Sequence, residues 1–299
     1  MYHINHNTNL NLLEIKDSQN HIYGKIYLDQ GASLQELTLN NQKIIQDMAP
    51  LTYDDTYASS ILFPFANRVK DGTYTFQDQN YQLKVNQEEE NNALHGLVYN
   101  KSFKIVKQIA NTDYASVTLK YDETNKSIGF PYTYTIQLTY VFTKDHLSLK
   151  VSVKNTDQKA FPFTLGWHPY FVSENLYDSD LIFDSTQKLI IGDRNITTGI
   201  KDIDPIEVFN IKDKQLDDCW VLNANKVTFN TPKYQLHIDA SAKNNFLQAY
   251  TPPKANTIAI EPTTGVSNSY NNKIGLEVLK ANTSYQITWN LKINNTKEN

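Results

Sequence analysis

Cysteine and arginine are the scarcest reactive residues in this 299-residue sequence. The one cysteine, Cys219, excludes an intrachain disulfide and a thiolate metal cluster, and it fits a reducing compartment. Only two arginines, Arg68 and Arg194, are present, which is few for a protein that binds phosphate groups. Net charge is −4 at pH 7. We therefore expect neither a nucleic-acid partner nor an anionic membrane surface.

Long apolar runs and linkers are also missing. No stretch of about 18 apolar residues occurs, and the polar start lacks the basic and apolar regions of a signal peptide. We expect a cytoplasmic protein with no membrane partner. No Pro/Gly/Ser-rich linker divides the chain, which favours a single domain over residues 1–299, as a monomer or a homodimer. The polar tail, residues 294–299, is expected to fray.

Several catalytic signatures are absent. The sequence has no Gly-x-Ser-x-Gly elbow, no P-loop and no dinucleotide-binding glycine motif. These absences argue against a serine hydrolase and a nucleotide-dependent enzyme. No cofactor is expected.

The dominant periodicity is two. Apolar and polar residues alternate over residues 134–142 and 147–153, which predicts two strands joined by a short turn, and similar runs cover 234–239 and 285–293. No window of a dozen residues has a helical period. The sequence therefore predicts an all-β fold, a large antiparallel β-sandwich or barrel.

Two histidines stand in segments that shape concave sites. His95 lies in NALHG, and His168 lies in LGWHPYF, where Gly, Pro and aromatic rings surround it. Trp167 and Tyr170 offer flat apolar surfaces that suit the C–H faces of a sugar or a protein core. Either histidine could instead be structural.

A single carboxylate follows the apolar run of residues 257–260. Glu261 precedes a proline, so we expect it in a loop at the rim of the core, where desolvation would raise its basicity; a surface glutamate is the alternative. Asp217 and Asp218 begin another apolar run. Adjacent strand residues face opposite ways, so only one of the two can point into a given site.

Asn67 and Arg68 also follow an apolar run, FPFANRV. Their fixed donors suit sugar hydroxyls or a carboxylate, although an ordinary surface ion pair would explain Arg68 equally. A zinc site built from His95, His168 and Glu261 has a suitable ligand set. The histidines are far apart in sequence and no short His-x-x-x-His pair exists, so we expect no metal.

The ordered set of these motifs resembles the aldose 1-epimerase (galactose mutarotase) family across nearly the whole chain. The set comprises PFANRV, DGTY, LHG, WHPYF and IEP. The resemblance implies one large antiparallel supersandwich with a sugar site on a concave face. It implies that His168 and Glu261 are the acid and base, that His95 and Arg68 hold the sugar, and that Asp217 binds it.

Two departures from the family pattern indicate a divergent bacterial branch. Leu97 replaces a second glycine after His-Gly, and Trp167 replaces the asparagine of an Asn-His pair. The departures affect the expected identity of the sugar more than the expected acid–base reaction. We assign Asn67 and Tyr170, together with Trp167, to sugar binding.

Anomer interconversion needs one acid and one base. The hemiacetal opens when a base takes the C1 hydroxyl proton and an acid protonates the ring oxygen, and it closes by the reverse. We expect Glu261 as the base and His168 as the acid, with His95 donating a hydrogen bond nearby. This requires an ionised Glu261 and a protonated His168 that support each other. The expected substrate is a free aldohexose; a hexose-6-phosphate mutarotase and a non-catalytic carbohydrate-binding protein are the alternatives.

Overall fold

The computed structural model describes residues 1–242 and 245–295. In the first half of the chain the strands are β1 (Tyr2–Asn7), β2 (Leu12–Asp17), β3 (Tyr23–Tyr27), β4 (Ser33–Leu39), β5 (Gln42–Ile45), β6 (Ile61–Leu62), β7 (Arg68–Lys70), β8 (Thr73–Phe76), β9 (Gln79–Gln82), β10 (Asn92–Leu94), β11 (Lys104–Ala110), β12 (Ala115–Glu123), β13 (Tyr134–Phe142) and β14 (His146–Asn155).

The second half continues with β15 (Phe161–Phe163), β16 (Gly166–Trp167), β17 (Tyr170–Val172), β18 (Asp180–Ile191), β19 (Thr197–Asn210), β20 (Asp217–Val221), β21 (Lys226–Asn230), β22 (Tyr234–Ala240), β23 (Phe246–Tyr250), β24 (Thr257–Thr263), β25 (Glu277–Leu279) and β26 (Ser284–Asn295). Helical structure in the described ranges is limited to single turns, α1 (Tyr53–Thr56), α2 (Ser269–Asn272) and a 3-10 turn at Asp193–Asn195. None of these helices is long and apolar enough to span a membrane.

The alternating runs form the strands that the sequence predicts. β13 and β14 pair antiparallel from Tyr134 opposite Asn155 to Phe142 opposite Leu147, and their apolar residues are buried in alternation. The other two predicted runs are β22 and β26, which pair with each other. The turn before β14 is one residue shorter than expected. Of the polar tail, residues 296–299 lie outside the described residues.

A sheet of 15 strands dominates the fold. Its order is β11-β12-β13-β14-β26-β22-β21-β18-β20-β23-β24-β16-β6, with β17 on β24 and β19 on β18. A second sheet, β1 to β5, has five strands, and three two-stranded pairs, β7–β10, β8–β9 and β15–β25, complete the described part. Every pairing between these strands is antiparallel. The all-β prediction of large antiparallel sheets is confirmed.

Aromatic rings fill the interior between the elements. Phe63 packs edge-on against Tyr134, with ring centroids 4.9 Å apart, and Phe130 meets Phe161 at 5.3 Å. Edge-to-face packing of this kind adds to the apolar area that each ring buries. Phe63 lies directly after β6, so this cluster supports the sheet edge next to the cleft described below.

Candidate active site

A cleft of about 200 Å³ opens at the end of the long sheet where β20, β23, β24, β16 and β6 lie side by side. Eight separate segments of the chain contribute its walls. The lining residues are Asp55, Thr56, Tyr57, Asn67, Arg68, Gln87, Leu94, His95, His168, Tyr170, Asp217, Gln248, Tyr250 and Glu261. Seven of the eight residues that the sequence singles out meet there; Trp167 does not.

Strand register places the polar side chains of the floor on one face. Asp217 of β20 is opposite Tyr250 of β23, and Gln248 of β23 is opposite Glu261 of β24. Directly paired residues share a face, as do residues two apart on one strand. Tyr170 joins the same face because its partner on β24 is Ala259, two residues before Glu261.

Glu261 lies within a strand, and the loop expectation is wrong. β24 continues through Pro262 to Thr263, and the glutamate is 3% exposed. Pairing with both β23 and β16 holds the strand past the proline. The carboxyl is therefore fixed by a sheet and is removed from water more fully than a rim position would allow.

Of the two adjacent aspartates, Asp217 faces the cleft. Its Oδ1 accepts a hydrogen bond of 2.7 Å from Gln248 Nε2. Asp218 points to the other side, where its Oδ1 lies 2.6 Å from Lys188 Nζ. The strand alternation used in the sequence analysis places the pair in this way, and the favoured member, Asp217, is the one in the cleft.

The opposite wall is the β7–β10 ladder. Arg68 is paired with Leu94, and the ladder ends where the His95 amide donates to the Asn67 carbonyl at 2.8 Å. Asn67 and His95 both adopt left-handed backbone conformations, with φ of 58° and 62°. Such conformations are tolerated by Asn and His and concentrate at functional sites. They turn both side chains toward the cleft at the end of a short ladder.

Gly96 explains the close approach of this wall to the core. Its φ is 78°, and a Cβ there would overlap the Phe63 backbone. Only glycine accepts both the conformation and the contact. The Leu97 amide then donates to the Phe63 carbonyl at 2.7 Å, which anchors the segment that carries His95.

Two backbone hydrogen bonds, one made by its amide and one by its carbonyl, position His168. Its amide donates to the Ser60 carbonyl at 3.1 Å, and its carbonyl accepts from the Ser59 amide at 2.7 Å. His168 Nε2 then lies 3.4 Å from Glu261 Oε1. The His95 ring meets the His168 ring edge-on with centroids 5.0 Å apart, so all three titratable groups form one cluster.

Burial shifts the pKa values of this cluster against the protonation states that we expected. It lowers the pKa of His168 to about 4, with a further lowering by the Arg68 charge. It raises the pKa of Glu261 well above 4.5, and the negative charge of Asp217 acts in the same direction. The pKa of His95 is lowered well below 6.5, first by burial and then by His168. Burial therefore favours a neutral imidazole beside a protonated carboxyl and opposes the ion pair that we expected.

Arg68 reaches the cleft with part of its guanidinium already in use. Nε donates to Gln87 Oε1 and to Glu90 Oε2, both at 3.2 Å, and Nη1 donates to Asn67 Oδ1 at 3.0 Å. Within the described ranges no hydrogen bond is made by Nη2. Arg68 thus forms an ion pair, as the alternative in the sequence analysis expected, but the pair is partly buried and the same arginine lines the cleft.

The aromatic surfaces of the cleft differ from those expected. Trp167 is fully buried and stacks on Trp289, with centroids 6.2 Å apart, so its assignment to sugar binding is wrong. Alternation explains the difference, because neighbouring residues in an extended segment point to opposite sides and His168 takes the cleft side. The tyrosines Tyr57, Tyr170 and Tyr250 line the cleft instead.

Sequence reasoning missed four lining residues with clear contacts. Tyr57 follows α1 in a left-handed conformation and packs on the His95 ring at 4.8 Å. Tyr250, Gln87 and Gln248 lie in segments without a histidine or an isolated carboxylate. The β23 residues could have been found from their alternation with buried positions once β24 was recognised as their partner. No sequence signal marks the other two.

A metal site is not formed by these groups. In residues 1–242 and 245–295 no three His, Cys, Asp or Glu side chains converge so that they could hold an ion. His95, His168 and Glu261 thus share a cluster without the geometry of the zinc set considered from the sequence.

Comparisons with known proteins identify a matching family and a shared fold. The family model described as aldose 1-epimerase matches residues 16–292. An uncharacterised Escherichia coli K12 protein, YihR, is 23% identical over 278 residues, 87% of each chain. A galactose mutarotase-like protein from Clostridium acetobutylicum superposes with a TM-score of 0.85 at 19% identity, and a galactose 1-epimerase from Lactobacillus acidophilus with 0.80 at 17%; both cover 99% of either chain.

Proposed function

Because the chain belongs to the aldose 1-epimerase family, we propose that it is a mutarotase that interconverts the α and β anomers of a free aldohexose. The observation that carries the proposal is the buried pair of His168 and Glu261, whose Nε2 and Oε1 atoms are 3.4 Å apart in a sugar-sized cleft. The C1 hydroxyl oxygen and the ring oxygen of a pyranose are bonded to the same carbon. Two neighbouring proton-transfer groups can therefore contact one oxygen each.

The reaction needs only the transfer of two protons. Glu261 takes the proton of the C1 hydroxyl, the C1–O1 bond becomes a carbonyl, the bond from C1 to the ring oxygen breaks, and His168 protonates that oxygen. Rotation about C1–C2 presents the other carbonyl face, and the reverse transfers close the ring. Proton and electron pairs balance within the cluster. His95 is proposed to donate a hydrogen bond to the same oxygens, and Arg68, Asn67 and Asp217 to hold the other hydroxyls, against the ring of Tyr170.

Burial changes the starting point of this mechanism but not its proton count. A protonated Glu261 beside a neutral His168 holds one proton, as does a carboxylate beside an imidazolium. The proposed starting form is reached when the proton moves between two atoms 3.4 Å apart, without exchange with solvent. A sugar hydroxyl that donates to the carboxylate would favour this transfer, because hydrogen bonding stabilises the charged form.

The charges around the cleft favour an unphosphorylated sugar over a 6-phosphate. Lys70, two residues after Arg68, does not line the cleft and cannot compensate a phosphate there. Arg194 does not line it either, and its guanidinium is bonded to Asp71 at 3.0 Å. Arg68 is paired with Glu90. A phosphate dianion would meet the carboxylates Asp55 and Asp217 with little compensation.

Polarimetry on freshly dissolved α-D-glucose and α-D-galactose tests the proposal directly. We expect acceleration over buffer by the native chain, and a loss of about 10²-fold or more in kcat for His168→Ala and Glu261→Gln. Glucose 6-phosphate serves as the competing substrate. No acceleration with any of these sugars would refute the proposal, and sugar binding without turnover would favour the non-catalytic alternative.

A further inference from the structure

Both arginines of the chain belong to one hydrogen-bond network beside the cleft. Asn92, which is fully buried, donates to Gln87 Oε1 at 3.2 Å and to Glu90 Oε2 at 3.4 Å, the same two acceptors that Arg68 uses. On its other side, Asn92 Oδ1 accepts from Arg194 Nη2 at 3.1 Å. Arg68 is thereby fixed to a rigid group of polar side chains before any ligand arrives.

Glu90 is the only carboxylate of the described chain in contact with Arg68, and it is held at both oxygens. Oε2 is 3.2 Å from Arg68 Nε, and Oε1 accepts from Asn195 Nδ2 at 3.2 Å. Asn195 lies in the tight turn that joins β18 to β19. The Arg68 side chain is 12% exposed and that of Glu90 29% exposed, so water screens this ion pair less than a surface pair.

Among the described residues that line the cleft, Arg68 is also the one lysine or arginine. Its remaining charged neighbours there are acidic. The pKa of Asp217 is raised, chiefly by burial, while Arg68 lowers it and Glu90 is among the charges that raise it. The charge of Glu90 is therefore felt inside the cleft, although its side chain is not part of the lining.

We propose that Glu90 is a positioning residue that sets the substrate class: it fixes and neutralises Arg68, so that the cleft accepts neutral sugars and excludes anionic ones. An unpaired arginine would bind phosphate or carboxylate groups strongly. Because Arg68 is paired through Nε, its other nitrogens remain available to donate hydrogen bonds to hydroxyl groups, while the Arg68–Glu90 pair carries no net charge. The proposal rests on the mutarotase function above, since it names the sugars that the same cleft takes.

Glu90→Gln removes the charge and keeps an oxygen that can accept from Arg68 Nε. Its matched control is Glu89→Gln, which makes the same change of net charge at an exposed neighbour. With calorimetry at low ionic strength, we expect inorganic phosphate and glucose 6-phosphate to bind Glu90→Gln about tenfold more tightly than the native chain. Glu89→Gln should bind both like the native chain, and the KM for the neutral sugar should change less than threefold in Glu90→Gln.

Glu90→Ala separates positioning from charge. It removes both the charge and the acceptor, so Arg68 loses an anchor; the KM for the neutral sugar should rise about tenfold, while kcat stays within threefold of the native value. A merely structural role would lower the amount of folded enzyme and would leave the KM unchanged. An equal fall of kcat in Glu90→Gln and Glu90→Ala with unchanged KM would overturn the proposal.

Arginine-specific labelling gives a readout that needs no substrate. The chain has two arginines, so mass spectrometry after treatment with phenylglyoxal follows each one separately. We expect Arg68 to react several-fold faster in Glu90→Gln than in the native chain, with Arg194 as the internal reference. Equal rates at Arg68 in the two proteins would overturn the proposal.

The failures of the two proposals can be told apart. If the native chain turns over no hexose, the proposed function fails, whereas phosphate affinity and Arg68 labelling still decide the role of Glu90. If the native chain is an active mutarotase but binds glucose 6-phosphate more tightly than glucose, the function stands and the inference about Glu90 is overturned. Unchanged phosphate affinity in Glu90→Gln would overturn it as well.

Discussion

Replacing Glu261 by glutamine should stabilise the fold near neutral pH while it abolishes most of the activity. Burial raises the pKa of this carboxyl well above 4.5, so the folded chain keeps a proton that the unfolded chain releases above that pH. The folded state then binds more protons than the unfolded state, and stability falls as pH rises. The contribution of this carboxyl to the free energy of unfolding is fully present below its unfolded pKa. It decreases as pH rises from the unfolded pKa to the folded pKa. Glutamine resembles the protonated carboxyl and cannot titrate.

The expected size follows from the proton linkage. The variant's free energy of unfolding minus that of the native chain should increase with pH. The increase should be about 1.4 kcal/mol for each pH unit between the unfolded and the folded pKa of Glu261. Over an interval of about 1.5 pH units inside that range, the gain is roughly 2 kcal/mol, or about 4 °C in Tm for a chain of this size. His168, whose lowered pKa gives the opposite pH dependence, is present in both proteins and cancels to first order.

Urea unfolding at several pH values between 5 and 6.5 measures this difference, and polarimetry on the same samples measures kcat. The exposed substitution Glu89→Gln is the control and should show a difference that does not vary with pH. A flat difference for Glu261→Gln as well would refute the reasoning. It would mean that the buried carboxyl is ionised in the folded chain.

Three further outcomes follow from the site. The pH profile of kcat/KM should be bell-shaped. Its acid limb should lie at about pH 4, where His168 takes up a second proton in the pair, and its alkaline limb at the raised pKa of Glu261. An acid limb near pH 6.5 would contradict this. Asp217→Asn should raise the KM about tenfold, whereas Asp218→Asn should leave it unchanged, which initial rates over a range of sugar concentrations will show. Trp167→Phe should lower the free energy of unfolding by about 1 to 2 kcal/mol in urea and leave the KM within twofold, since its ring is fully buried; a large KM change would place the ring in the cleft.

The sequence predicts the strands and most of the site because both depend on local signals. Alternation over residues 134–142 marks a half-buried strand before any partner is known. Gly and Pro around His168 are typical of a segment that lines a concave site. Strand alternation alone predicts that Asp217 and Asp218 face opposite sides of the sheet. These inferences need no knowledge of which strands become neighbours.

What the sequence does not predict depends on pairing across the sheet. Pro262 suggests that β24 ends at Glu261, but pairing with β23 and β16 carries the strand to Thr263. The same long-range pairing buries the carboxyl, which raises its pKa while burial lowers that of His168. Gln248 enters the site only because its register partner is Glu261. Periodicity identifies a strand and its two faces, whereas register decides what each face meets.

The register that joins β20, β23 and β24 also has a consequence for folding. The groups of the cleft come from eight segments between residues 55 and 261, and they meet only when β24 pairs with β16, nearly 100 residues earlier in the chain. Such non-local pairing is slow to form, because long loops must close first. Catalytic competence should therefore return in the last phase of refolding. Recovered turnover would then report completed folding of the whole chain more strictly than recovered strand content does.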